Sequence, residues 1–74
     1  MNRRIIHRMK TVTLREARRR ALLTQDQLAA KSGIDQTTIS RLESGTGSPS
    51  LKTLAKLARA LKMEPSSLHF GMGR

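Results

Sequence analysis

Gln36, Thr37, Ser40 and Arg41 are the residues whose types and spacing promise chemistry here, and that chemistry is hydrogen bonding rather than catalysis. Ile39 falls among them and Leu42 follows three residues on, a helical interval. On a helix the apolar pair turns inward and leaves the four polar side chains outside. A helix lying in a major groove meets base edges mainly through its N-terminal residues. Gln can pair bidentately with adenine N6 and N7, Arg with guanine O6 and N7, and Thr offers a methyl and a hydroxyl. The bland alternative is a solvated face, because all four are ordinary surface types. Other chemistries are poorly supplied. Cysteine is absent, and the two histidines, His7 and His69, sit near opposite ends with no matching acid or serine set. We expect solvent exposure for both, no catalytic residue, no metal site and no cofactor.

A reading helix needs elements that hold it. Asp35 can cap it, and the segment ends near Ser44-Gly45. A helix before it opens at Thr24, where Thr24-Gln25-Asp26-Gln27 matches a capping box, and closes at Gly33, suited to a left-handed C-terminal position. The link Gly33-Ile34-Asp35 is short enough to force a sharp crossing, as in a helix-turn-helix. Thr13 and Glu16 form another capping box for a first helix, in which Leu14, Ala17, Arg18 and Ala21 share one stripe. Ser48-Pro49-Ser50 starts a fourth helix, with Leu51, Leu54, Ala55, Ala58 and Leu61 as its apolar face. Pro65 pre-sets a short fifth containing Leu68. The expected fold class is all-α, a compact bundle of about five short helices. Its parts are a basic arm over residues 1–12, a domain over 13–70 and a tail over 71–74.

Charge narrows the partner. The 74 residues hold 15 Lys and Arg against 5 Asp and Glu, a formal charge of +10. Residues 1–20 carry +7, residues 21–48 carry −1 and residues 49–74 carry +4. A near-neutral middle between basic flanks reads by hydrogen bonds while the flanks supply attraction. Duplex nucleic acid comes first, ahead of an acidic partner or a membrane surface. The single aromatic residue, Phe70, speaks against stacking of unpaired bases. No apolar run exceeds three residues, so neither a membrane span nor a secretory signal is expected, and the cytoplasm is the expected location.

Several stretches together resemble the lambda repressor/Cro-type, or XRE-type, helix-turn-helix DNA-binding domain. They are Leu23-Thr24-Gln25-Asp26-Gln27-Leu28-Ala29, Gly33, Thr38-Ile39-Ser40-Arg41-Leu42-Glu43-Ser44-Gly45, Pro49-Ser50-Leu51, and residues 54–61. The likeness covers residues 14 to 68, about three quarters of the chain, in order, spacing and loop length. The chain ends where many members carry a second domain, so a stand-alone domain is expected.

The resemblance implies roles. Base reading falls on Gln36, Thr37 and Arg41, with Ser40 often added. Phosphate contact falls on Gln25, at a helix start where amides and dipole favour an anion. Thr24, Thr46 in the loop Gly45-Thr46-Gly47-Ser48, and Lys52 are further phosphate candidates, while Arg15, Arg19 and Arg20 read as long-range attraction. Arg18, a charge inside an apolar stripe, is implied to pair with Glu43 as a partly buried structural bridge. A homodimer is implied, joined through Met63, Pro65, Ser66, Ser67 and Phe70, although Phe70 has a rival role as a lid over Leu54 and Leu61. The function implied is a transcriptional regulator, a repressor, on a palindromic operator. The alternatives are an antitoxin of this fold that binds a toxin protein, a restriction–modification controller, and a non-specific RNA or nucleoid binder.

Overall fold

Four side-chain oxygens start four helices in the computed structural model, which describes residues 11–70. Most of the basic arm and the whole tail read from the sequence lie outside the described residues. Helix α1 is Leu14–Arg20, α2 is Gln25–Ser32, α3 is Gln36–Glu43 and α4 is Leu51–Leu61. Thr13 Oγ1 accepts from the Glu16 amide at 3.1 Å while Glu16 Oε1 accepts from the Thr13 amide at 3.0 Å. Thr24 and Gln27 repeat the reciprocal pair at 3.0 and 2.8 Å. Asp35 caps α3 and Ser50 caps α4, each through the amide three residues on. These bonds satisfy amides that a helix start would otherwise leave unpaired.

Glycine 33 closes α2 at φ 79°, and the three-residue link turns the chain into α3. Beyond α4 the chain departs from five helices. Residues Pro65–Ser67 form one 3-10 turn, and Leu68 is extended rather than helical. Leu68–His69 (β2) pairs in parallel with Val12–Thr13 (β1), Val12 opposite Leu68 and Thr13 opposite His69. The physical reason is local. Pro65 has no N–H to donate, Ser66 and Ser67 offer no apolar stripe, and Leu68 reaches the core from an extended backbone. A two-residue pairing is too short to leave a periodic trace in sequence.

The core gathers Leu14 and Ala17 from α1, Leu28 from α2, Ile39 and Leu42 from α3, Leu57, Ala58 and Leu61 from α4, and Leu68. The face of α4 differs from the expected one. Leu51 is 84% exposed and Ala55 is exposed, whereas Leu57, absent from the expected stripe, is fully buried. Residues 54, 57, 58 and 61 share one side, while Ala55 lies about 100° round from Leu54 and Leu51 stands at the helix's free end.

Candidate nucleic-acid interface

Helix α3 presents the four expected readers to solvent. Gln36, Thr37, Ser40 and Arg41 are exposed, and Ile39 and Leu42 on the opposite side are buried. Thr38, between them, is spent on the cap: its hydroxyl donates to Asp35 Oδ1 at 2.8 Å and its amide to Oδ2 at 3.1 Å. Those two bonds hold the Asp35 carboxyl below the usual carboxylate range, so it stays ionised at the positive end of α3.

Beneath the readers runs a buried polar network. The Glu43 side chain has no solvent exposure, and Arg18 grips both of its oxygens, Nε to Oε2 at 2.6 Å and Nη2 to Oε1 at 2.9 Å. Arg18 Nη1 also donates to the Leu23 carbonyl at 2.9 Å, so the guanidinium ties α1, the following turn and α3 together. Burial alone would raise the Glu43 carboxyl, but hydrogen bonds from Arg18, Gln25 and Arg15 and the Arg18 charge outweigh it and hold it below the ordinary glutamate range. The same Glu43 hydrogen bond is the main reason the Arg18 pKa is raised.

Two links in this network escape sequence reasoning. Gln25 Nε2 donates to Glu43 Oε1 at 3.0 Å, and Gln25 Oε1 accepts from Gln36 Nε2 at 2.6 Å. A continuous path therefore runs from Arg18 through Glu43 and Gln25 to Gln36 on the outer surface. Arg15, read as a source of long-range attraction, instead places Nε 3.4 Å from Glu43 Oε1, half-exposed at the network's edge. Its spacing three before Arg18 on one helix was the available signal.

Gln25 thus spends both ends of its amide on bonds within the chain. One Nε2 hydrogen remains, together with the backbone amides of Gln25 and Asp26, which have no partner among the described residues. Thr24 is occupied as a cap. In the loop after α3 the Gly45 and Thr46 amides turn back to the Leu42 and Arg41 carbonyls, at 3.2 and 3.0 Å. Both amides are spent on closing the end of α3. The Thr46 hydroxyl lies 3.2 Å from that of Ser44. Lys52 is exposed in the first turn of α4.

At the C-terminal end, Met63 and Phe70 are partly buried against the chain's own core, and Pro65 and Ser66 are exposed with Ser67 half-buried. His69 is exposed, and His7 lies outside the described residues. Among the described residues no three His, Cys, Asp or Glu gather as a metal site, and no helix is long and apolar enough to cross a membrane.

Known proteins resemble this chain in sequence and in fold. Residues 14–68 match the family described as Helix-turn-helix. The HTH-type transcriptional repressor RghR of Bacillus subtilis is 43% identical over 61 residues, 81% of this chain and 45% of that protein. The uncharacterized HTH-type transcriptional regulator RghRB of the same organism is 46% identical over 61 residues, 81% of this chain and 44% of its own length. The chain thus spans less than half of these curated relatives. The crystal structure of the restriction-modification controller protein C.AhdI from Aeromonas hydrophila superposes with a TM-score of 0.70 at 41% identity, covering 73% of this chain and 82% of that one. The chain belongs to the helix-turn-helix family, in the lambda repressor/Cro-type group whose motifs it carries.

Proposed function

We propose that this chain is a sequence-specific, duplex-DNA-binding transcriptional regulator that represses by occupying a palindromic operator as a homodimer. The observation that carries the reading is the Gln36 amide, held at 2.6 Å by Gln25 on an otherwise solvent-facing helix start. One Nε2 hydrogen is committed to Gln25. The other hydrogen and Oε1 remain, one donor and one acceptor, the set that adenine N7 and N6 require. Gln25 thereby selects which way the amide faces before DNA arrives, and preorganisation lowers the cost of binding. Thr37, Ser40 and Arg41 extend the reading surface. Phosphate positioning falls to the free amides at the start of α2, the remaining Gln25 hydrogen, Thr24 and Lys52, with Thr46 contributing through its hydroxyl.

Pairing of two copies through Pro65, Ser66 and Ser67, flanked by Met63 and Phe70, would set two α3 helices on successive major-groove turns, about 34 Å apart. Control of a restriction–modification system is the second reading, favoured by the likeness to C.AhdI. Both readings need the same DNA chemistry. Selection of bound sequences from a random duplex library tests it. A palindromic consensus with half-sites one helical turn apart is expected, and no enrichment over the starting library overturns the proposal.

A further inference from the structure

At the far end of α2 from Gln25, about 10 Å along the axis, a second polar feature has no part in base reading. A concavity of about 290 Å³ opens between the C-terminal ends of α2 and α4, lined by Lys31, Ser32, Lys56, Arg59, Ala60 and Lys62. Four of its six lining residues are cations and none is an acid. Lys56, Arg59 and Lys62 follow one another at intervals of three along one side of α4, and Lys31 faces them from α2. Like charges at that spacing repel on a helix. Helix-end electrostatics accounts for Lys31 and Arg59 in their last turns, but not for Lys56 in mid-helix, nor for the convergence of all four on one hollow.

Two further details point inward. Ser32 is a polar residue buried to 9% exposure, and it lines the hollow. Its Oγ accepts from the Ile34 amide at 3.1 Å, and its proton has no acceptor among the described residues. A hydroxyl proton beside four cations forms an all-donor wall. Lys62 ends α4 at φ 57°, a left-handed conformation that glycine adopts at lower cost. The strain is accepted where the side chain reaches the hollow.

We propose that this hollow is a binding site for a phosphate oxyanion, held by Lys31, Lys56, Arg59 and Lys62 with Ser32 as a fixed donor. A compact dianion meets the requirement: it neutralises the repulsion among the cations and accepts from several donors at once. The phosphate comes from one of two sources, a free phosphorylated molecule or the backbone of bound DNA. The site is independent of the base-reading proposal, since it involves none of the α3 readers.

The test is a titration of the full chain without DNA, using inorganic phosphate exchanged for chloride at constant ionic strength and followed by amide chemical shifts. Saturable shifts at Ser32, Ala60 and Lys62 are expected, weakened at least tenfold in Lys56→Gln/Arg59→Gln. They should persist in Arg19→Gln/Arg20→Gln, which removes the same charge from α1. Shifts that never saturate, or that both double variants weaken equally, overturn the site in favour of general counterion attraction. Repeating the titration on duplex-bound protein identifies the source. Exclusion of phosphate by DNA assigns the backbone, and undiminished phosphate binding assigns a free ligand. Failure of the DNA-free titration leaves the library selection untouched, so the two proposals fail separately.

Discussion

Arg18 and Glu43 meet through two hydrogen bonds, at 2.6 and 2.9 Å, with the carboxylate wholly shielded from water. Twenty-five residues apart in sequence, they join α1 to α3 and fix the platform beneath the reading helix. Arg18→Ala removes one half and leaves a buried carboxylate with only Arg15 and Gln25 to compensate. The expected loss of stability is about 1–3 kcal/mol. Thermal melts of Arg18→Ala, Glu43→Ala and the double variant measure it. A double variant less destabilised than the sum of the singles is expected, and full additivity contradicts the coupling.

The same pair sets an acid limit. The folded carboxyl of Glu43 lies below its ordinary value of 4.5. Its contribution is therefore complete above the unfolded value and is lost as pH falls through the lower folded one. Melting temperature should drop below about pH 4, more steeply for the native chain than for Glu43→Gln. The exposed Asp35 carboxyl is lowered too, but it is common to both proteins and cancels in the comparison. Parallel melting curves against pH would remove Glu43 from this account.

What was legible in the sequence was local. Thr13 with Glu16, and Thr24 with Gln27, lie three residues apart, and the backbone geometry of a helix start dictates their reciprocal bonds. Gly33 was legible because few residues tolerate its φ. The Gln25–Gln36 bond was not: two surface amides eleven apart carry no mark of each other until α2 and α3 cross. The α4 face was legible only in part: Leu54, Ala58 and Leu61 meet the core, but Leu51, Leu54 and Leu57 are equally apolar, and only the neighbouring helices decide which leucines they cover.

That choice gives a direct contrast. Leu57→Ala empties a fully enclosed site and should cost about 2–5 kcal/mol. Leu51→Ala, at a position 84% exposed, should stay within about 0.5 kcal/mol of the native chain. Chemical denaturation of the two variants decides it, and equal effects would refute the observed face of α4.

Leu22 closes the α1 turn at φ 61° and is 87% exposed. It bears the left-handed strain and gains little burial in return. Leu22→Gly relieves about 1–2 kcal/mol of strain against roughly 0.5–1 kcal/mol of added unfolded-state freedom, so a net gain of about 0–1.5 kcal/mol is expected. A rise in melting temperature without change in the denaturant slope is the expected readout. A fall would show that the exposed leucine packs in the folded state.

Gln36 carries the specificity argument, and Gln25 allows it to be tested in two steps. Gln36→Ala keeps helix propensity and removes the outward hydrogen-bonding group together with one exposed bond to Gln25, so folding should change little. Loss of a bidentate pair should cost about 1–3 kcal/mol per half-site and relax preference at one base position. Affinity for random duplex, carried by phosphate contacts, should hardly change. Gln25→Ala leaves the Gln36 amide in place but frees it to rotate and strips one donor from Glu43. It should therefore weaken specific binding less than Gln36→Ala, while lowering stability by about 0.5–1.5 kcal/mol for the lost bonds. Titrations of selected and random duplex at one fixed salt concentration, beside thermal melts, separate these effects. If Gln36→Ala weakens both duplexes equally, or neither, the α3 surface is not the reader. If Gln25→Ala leaves specific affinity unchanged, then the 2.6 Å bond is a crossing of two surface amides and not a preset for recognition.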